Sequence, residues 1–92
     1  MESAKSVRYI SDYKLEILFS DGLSAVVDLE GELYGPLFGR LKNPDLFRRA
    51  IANPDTHTVE WPNGTDFAPE YLYELAKRTS ERLKMGHEFN QR

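Results

Sequence analysis

The 92-residue sequence predicts an α+β fold, a small antiparallel β-sheet with a central hairpin, packed on one face by two helices. Apolar residues alternate on both sides of an Asp-Gly pair in KLEILFSDGLSAVVDL, which is typical of a hairpin. Two later segments combine helical spacing of apolar residues with a helix-start signal. The length suits a single domain over residues 1–92, with an ordered core at about 5–85 and a short C-terminal tail.

The register of the hairpin follows from keeping its apolar side chains on one face. A two-residue loop would place Phe19 opposite Ser24 and mix apolar with polar positions. A three-residue loop ending at Gly22 pairs Phe19 with Leu23 instead, and puts all six alternating apolar side chains on the same face. Gly22 then occupies the left-handed position of the loop, so we predict a positive φ there.

The other strands and the connection are less regular. Residues 7–10 are predicted to form a first short strand, and residues 56–61 a later one that Pro62 ends. Between them, the Gly-rich stretch LEGELYGPLFGRLKN is predicted to be an ordered connection whose apolar side chains close one edge of the core.

Helix starts and stops are marked by capping residues and prolines. The first helix is predicted to begin with Asn43 as cap and Pro44 at the first position, and to end before Pro54. The second is predicted to begin at Pro69 and to stop at Gly86.

The amino-acid composition and the distribution of charge limit the functions that the chain can have. The chain has no Cys, which excludes disulfides and thiolate metal sites. It has no apolar run of membrane-spanning length and no visible signal peptide, so we expect a cytoplasmic protein without membrane contact. Residues 1–39 carry three basic and seven acidic groups, whereas residues 74–92 carry five and three. Any contact with nucleic acid is therefore expected at the C-terminal end.

Three segments together resemble a bacterial family of unknown function, DUF2442. They are FSDGLSAVVDL, PLFGRLKNPDLF and VEWPNGTDFAPEYLYE, which in order and spacing span most of residues 7–75. The resemblance implies a small domain that occurs alone or with an appended helix-turn-helix, often encoded beside a small uncharacterised protein in the manner of toxin–antitoxin pairs. It implies no catalytic residues. The chain departs from the family pattern at Ala68, where a Ser would cap the helix, and no appended DNA-binding segment is expected after it.

The segment VEWPNGTDFAPEYLYE is interpreted first as a structural corner between strand and helix. Asn63-Gly64 predicts a turn, and Asp66 is predicted to cap the helix that begins at Pro69, in place of Ala68. The same corner is expected to hold an exposed aromatic patch that forms an interface with a protein partner. Its predicted members are Trp61, Phe67, Tyr71 and Tyr73.

Catalytic and metal sites are not expected. His57 has Asp55, Glu60 and Asp66 near it in sequence but lacks metal-ligand spacing, and no nucleotide-binding or nucleophile motif is present. We therefore predict no cofactor and a non-enzymatic regulatory module acting through a protein partner, such as a neighbouring toxin-like protein or a second copy of the chain. The alternatives are a small hydrolase and a nucleic-acid-binding regulator. The contacts of that regulator would come from the basic residues of the last helix, Lys77, Arg78, Arg82 and Lys84.

Overall fold

The computed structural model describes residues 2–90, with side chains described for residues 2–81. It confirms the α+β class. Strands β1 (Ala4–Ser11), β2 (Lys14–Phe19) and β3 (Ser24–Asp28) form an antiparallel sheet in the order β1-β2-β3. The first strand is longer than predicted because it pairs along the whole of β2, from Ala4 opposite Phe19 to Ser11 opposite Lys14.

The β2–β3 hairpin has the predicted three-residue loop. The amide of Phe19 donates to the carbonyl oxygen of Leu23 at 2.8 Å, and Ile17 pairs with Ala25. Gly22 has a φ of +94°, the left-handed conformation that this loop requires. The register therefore keeps the six alternating apolar side chains on the face that is covered by the rest of the chain.

The connection after β3 is ordered and contains short helical turns. It has 3-10 turns at Glu30–Glu32 and Gly39–Lys42, with a single α-helical turn, α1 (Gly35–Phe38), between them. Leu29, Leu33 and Leu41 are buried, as the prediction that this stretch closes the core requires. Tyr34 and Leu37 are exposed instead, so for these two side chains the prediction is wrong.

The first predicted helix is much shorter in the structure. The Asn43 carboxamide oxygen accepts the amide of Asp45 at 3.0 Å, which confirms the cap, but α2 covers only Pro44–Phe47. The next residues form strand β4 (Ile51–Asn53), which pairs with β5 (Thr58–Glu60). Backbone pairing between β4 and β5 therefore prevails over the helical spacing of residues 46–51.

Helix α3 (Pro69–Asn90) begins where it was predicted and continues past Gly86, so the predicted stop at Gly86 is wrong. It packs chiefly against β3, with Leu72 and Ala76 fully buried. Leu15, Ile17, Phe19 and Val27 of the sheet, Phe47 of α2 and Val59 of β5 complete the same core. Among residues 2–90, no helix has the length and apolar character needed to cross a membrane.

Candidate functional site

The corner between β5 and α3 is a closed turn stabilised by its own backbone. The amide of Trp61 donates to the carbonyl of Thr65 at 2.9 Å, and that of Gly64 returns to the carbonyl of Trp61 at 3.0 Å. Gly64 has a φ of +86°, as Asn63-Gly64 predicts, and the Asn63 side chain accepts the amide of Thr65. This turn therefore determines the positions of Phe67 and of the start of α3.

Trp61 belongs to the core. Its side chain is 2% exposed, and its Nε1–H donates to the backbone carbonyl of Phe47 at 2.8 Å. Phe67 is 6% exposed, with its ring centroid 5.8 Å from that of Trp61. The prediction that these two side chains form part of an exposed patch is wrong, because the indole has its hydrogen-bond partner inside the protein and needs none outside.

Asp66 does not cap α3. The amides of Tyr71 and Leu72, in the first turn of the helix, donate to the carbonyl of Ala68, and the Asp66 side chain is exposed. No amide of the described residues donates to its carboxylate, so the capping prediction is wrong. The backbone of Asp66 forms an antiparallel bridge with Glu60, which directs the side chain outward. Its carboxylate is thereby available at the surface.

A cleft of about 350 Å³ opens at this corner, between α1 and the start of α3. Aromatic rings and two carboxylates dominate its lining, which consists of Glu32, Tyr34, Phe38, Asp66, Phe67, Ala68 and Tyr71. The rings of Phe38 and Phe67 have centroids 4.6 Å apart, and those of Phe67 and Tyr71 are 6.3 Å apart and tilted by only 20°. Phe67 is thus the buried base of an aromatic wall that continues outward to Tyr71.

The rim of the cleft is exposed. Tyr34 is 72% exposed, Tyr71 38%, and Leu37, on the same helical turn as Phe38, 58%. The Tyr71 hydroxyl donates to Oε1 of Glu32 at 2.6 Å, and this hydrogen bond raises the pKa of Tyr71 above its ordinary value. Of the four residues predicted for an interface, the structure places Tyr71 and Phe67 in the cleft. It adds Glu32, Tyr34 and Phe38, which the sequence did not single out.

Tyr73 lies elsewhere. Its half-buried ring packs edge-on against Phe19, with centroids 5.2 Å apart, and its hydroxyl donates to Oδ2 of Asp21 in the hairpin loop. The hydrogen bond raises the pKa of Tyr73 to about 12 and, together with the Leu23 amide, lowers that of Asp21. Tyr73 therefore joins α3 to the hairpin and does not line the cleft.

The alternative basic surface is only partly described. Lys77 and Arg78 are exposed on α3, as are Glu74 and Glu81 on the same helix. Arg82 and Lys84 lie outside the residues whose side chains the structure describes. The described part of the helix is therefore mixed in charge, which a surface that binds phosphates usually is not.

The residues near His57 do not assemble a site. His57 is exposed in the loop between β4 and β5 with a φ of +65°, and its Nδ1 lies 3.0 Å from the Ser3 hydroxyl oxygen. Within the described side chains, no group of three His, Asp or Glu residues is placed to hold a metal ion.

The chain matches the model of a protein family. The family model for DUF2442, a protein of unknown function, matches residues 4–78, from the first residue of β1 into α3, and so includes the hairpin and every residue that lines the cleft. No curated protein and no solved structure matches the chain. Because the family model covers most of the chain, the chain belongs to the DUF2442 family.

Proposed function

We propose that the protein is a non-enzymatic interaction module that binds a different protein at the cleft between α1 and α3. The observation that supports this most is the exposure of Tyr34 and Leu37 beside an aromatic cavity. Large apolar side chains that lie together at the surface of a small domain usually mark an interface.

The arrangement of the cleft supports the same proposal. Interfaces commonly have anchoring pockets surrounded by a rim of larger side chains that exclude water. Here the buried ring of Phe67 forms the base, Tyr34 and Tyr71 line the cleft around it, and the exposed Leu37 precedes the lining residue Phe38 in α1. Tyrosine is favoured at such positions because it offers a large ring with few rotatable bonds and a polar end.

The proposed partner is a different protein because of the charge around the cleft. Glu32 and Asp66 line it, and the chain as a whole has a net charge of −3. A second copy would bring a surface of the same sign, which electrostatics disfavours. In its narrower form, the proposal makes the chain an antitoxin-like regulator of a small protein encoded beside it and acting in the cytoplasm, a version that the family resemblance supports.

A site-specific crosslinker tests the proposal in cells of the source organism. The photoreactive amino acid p-benzoylphenylalanine is introduced at Leu37 and, as the control, at Leu18, an exposed side chain on the outer face of the sheet. We expect a heterologous protein to be captured from position 37 and not from position 18. The captured protein is then identified, purified and titrated against the uncrosslinked chain by calorimetry.

The titration uses two matched double variants. Tyr34→Ser with Leu37→Ser is expected to weaken binding by about tenfold or more, because both side chains bury apolar surface against the partner. Ile10→Ser with Leu18→Ser removes exposed apolar side chains from the outer sheet face and is expected to change it by less than about twofold. Equal capture at both positions, capture of a second copy, or a dissociation constant unaffected by the first pair would overturn the proposal. Oligonucleotide binding with steep inverse salt dependence, in a chain that captures no protein, would favour the nucleic-acid alternative instead.

A further inference from the structure

Building on the proposed function, we propose that the partner group seated in the cleft is an arginine side chain, stacked on the aromatic wall and hydrogen-bonded to Glu32 and Asp66. The inference rests on three observations in the cleft: the aromatic rings of its lining, the unfilled acceptor positions of its carboxylates, and the absence of a salt bridge between these carboxylates and a described cation.

Four aromatic rings line the cavity, those of Tyr34, Phe38, Phe67 and Tyr71. Phe67 and Tyr71 are nearly parallel, with an interplanar angle of 20°, and Tyr34 stands exposed in the same lining. The face of an aromatic ring carries partial negative charge and attracts a cation within about 6 Å of its centre. The guanidinium of arginine is planar and stacks on such faces, which the tetrahedral ammonium of lysine does not do.

The two carboxylates retain acceptor capacity. One oxygen of Glu32 accepts the Tyr71 hydroxyl, which orients this carboxylate, and no donor among the described residues reaches its other oxygen. The exposed Asp66 carboxylate accepts no hydrogen bond from any described residue. Each carboxylate oxygen can accept about two hydrogen bonds, whereas a guanidinium offers five donors in a fixed plane. The donors of an arginine can therefore be shared between Glu32 and Asp66.

No described cation forms a salt bridge with Glu32 or Asp66. Among the residues with described side chains, the ion pair that forms is Arg8 with Glu16, on the outer face of the sheet. Arg78 lies close enough to Tyr71 to oppose the rise of its pKa, but forms no salt bridge with Glu32. The positive N-terminal end of α3 also adjoins the cleft, where Asp66 and Glu70 offset its partial charge. The cleft therefore favours a cation over an anion.

Titration with short peptides tests this assignment directly. The probe is acetyl-Gly-Arg-Gly-amide, followed by amide chemical shifts in ¹⁵N-labelled protein, with the Gln and Lys analogues as controls. We expect saturable shifts confined to residues around Tyr34, Phe67 and Tyr71 with the Arg peptide. The Gln analogue should give none, and the Lys analogue should bind more weakly.

A pair of charge variants separates the cleft from the overall charge. Glu32→Gln with Asp66→Asn removes both carboxylates but retains an acceptor for Tyr71, and should weaken the Arg peptide by about tenfold or more. Asp55→Asn with Glu81→Gln removes two exposed carboxylates elsewhere and should change its binding by less than about twofold. Equal effects of the two pairs, equal binding of all three peptides, or no localised shifts would overturn the inference.

The two proposals fail separately. If the protein captured at position 37 binds normally to the Glu32→Gln, Asp66→Asn variant, the arginine inference is wrong and the interaction module stands. If the Arg peptide binds but position 37 captures no protein, the proposed function is overturned, while the cleft retains its preference for a guanidinium.

Discussion

The two ends of one row of aromatic rings differ in their exposure to solvent. Phe47, Trp61, Phe67 and Tyr71 follow one another with centroid separations of 5.8, 5.8 and 6.3 Å. At the closed end, Phe47 and Trp61 are buried, and the indole N–H is bonded to a backbone carbonyl. At the open end, Tyr71 is partly exposed, and its hydroxyl is bonded to the side chain of Glu32.

Trp61 and Tyr71 are both aromatic residues with a polar atom, so residue type does not separate them. The hydrogen-bond partner of that polar atom is the better indication of whether the side chain is structural or available for binding. A backbone carbonyl in the core fixes Trp61 inside the protein, since moving the ring outward would leave that carbonyl without a donor. The side-chain carboxylate of Glu32 sets no such limit on Tyr71, because water can replace the hydroxyl as its donor. The closed end is therefore expected to matter for stability and the open end for binding.

The largest expected effect is at the closed end. Trp61→Ala should lower the free energy of unfolding by about 3–5 kcal/mol, because it leaves a cavity beside Phe47 and removes a buried hydrogen bond. Urea unfolding followed by far-ultraviolet circular dichroism measures the loss. Trp61→Phe serves as the control: it keeps a ring but not the N–H, so its cost should be smaller, about 1–3 kcal/mol. A loss below about 1 kcal/mol in the alanine variant would contradict the core assignment.

A smaller effect, with a distinctive pH dependence, is expected at Tyr73, whose ring is half-buried and whose hydroxyl meets the exposed Asp21. The hydrogen bond lowers the pKa of Asp21 from 3.8, so this contribution to stability is present above that pH and is lost on acidification through the folded-state value. It raises the pKa of Tyr73 from 10.0 to about 12, so the contribution is present below pH 10.0 and is lost as the pH rises through about 12.

The test compares wild type with Tyr73→Phe, which keeps the ring on Phe19 and removes the hydroxyl. The wild type should be the more stable protein at pH values between the folded-state pKa of Asp21 and that of Tyr73. The difference in melting temperature between the two proteins should shrink towards both extremes of pH. A difference that does not vary with pH would show that the hydroxyl does not bind Asp21 in solution.

The smallest effect on stability is expected at the open end. Replacing Tyr34 and Leu37 by Ser together should change the free energy of unfolding by no more than about 0.5 kcal/mol, because both side chains are largely exposed. The same urea titration measures it. If this double variant destabilised the fold as strongly as Trp61→Ala, the open end would be structural. Weaker partner binding by the variant would then reflect loss of the fold.

The sequence predicts the fold best where the signals are local. The hairpin register follows from Gly22 and from alternation around it, both of which act within a few residues. The Asn43 cap is local too, and it is present. The length of α2 could not be predicted in the same way. Residues 51–53 form β4 because of their pairing with β5, and nothing in their own spacing shows that competition.

The site was predicted only in part, for a related reason. The partial exposure of Tyr71 follows from helical spacing, which puts it beside the buried Leu72. Whether Trp61 is buried depends on Phe47, fourteen residues away in sequence, whose carbonyl accepts its N–H. Tyr34 and Leu37 lie in a connection without periodicity, where exposure depends on how the chain crosses the core. The sequence around these two residues contains no pattern that predicts their exposure.

Trp61 is the chain's single indole, and its position makes it an optical reporter. Buried against Phe67, which lines the cleft, it should emit at short wavelength in the folded protein and shift to longer wavelength when the core opens. A peptide or partner bound in the cleft that moves the ring of Phe67 would change the emission of Trp61 without unfolding the chain. Intrinsic fluorescence of the unlabelled protein can therefore distinguish occupancy of the surface from loss of the fold in a single titration.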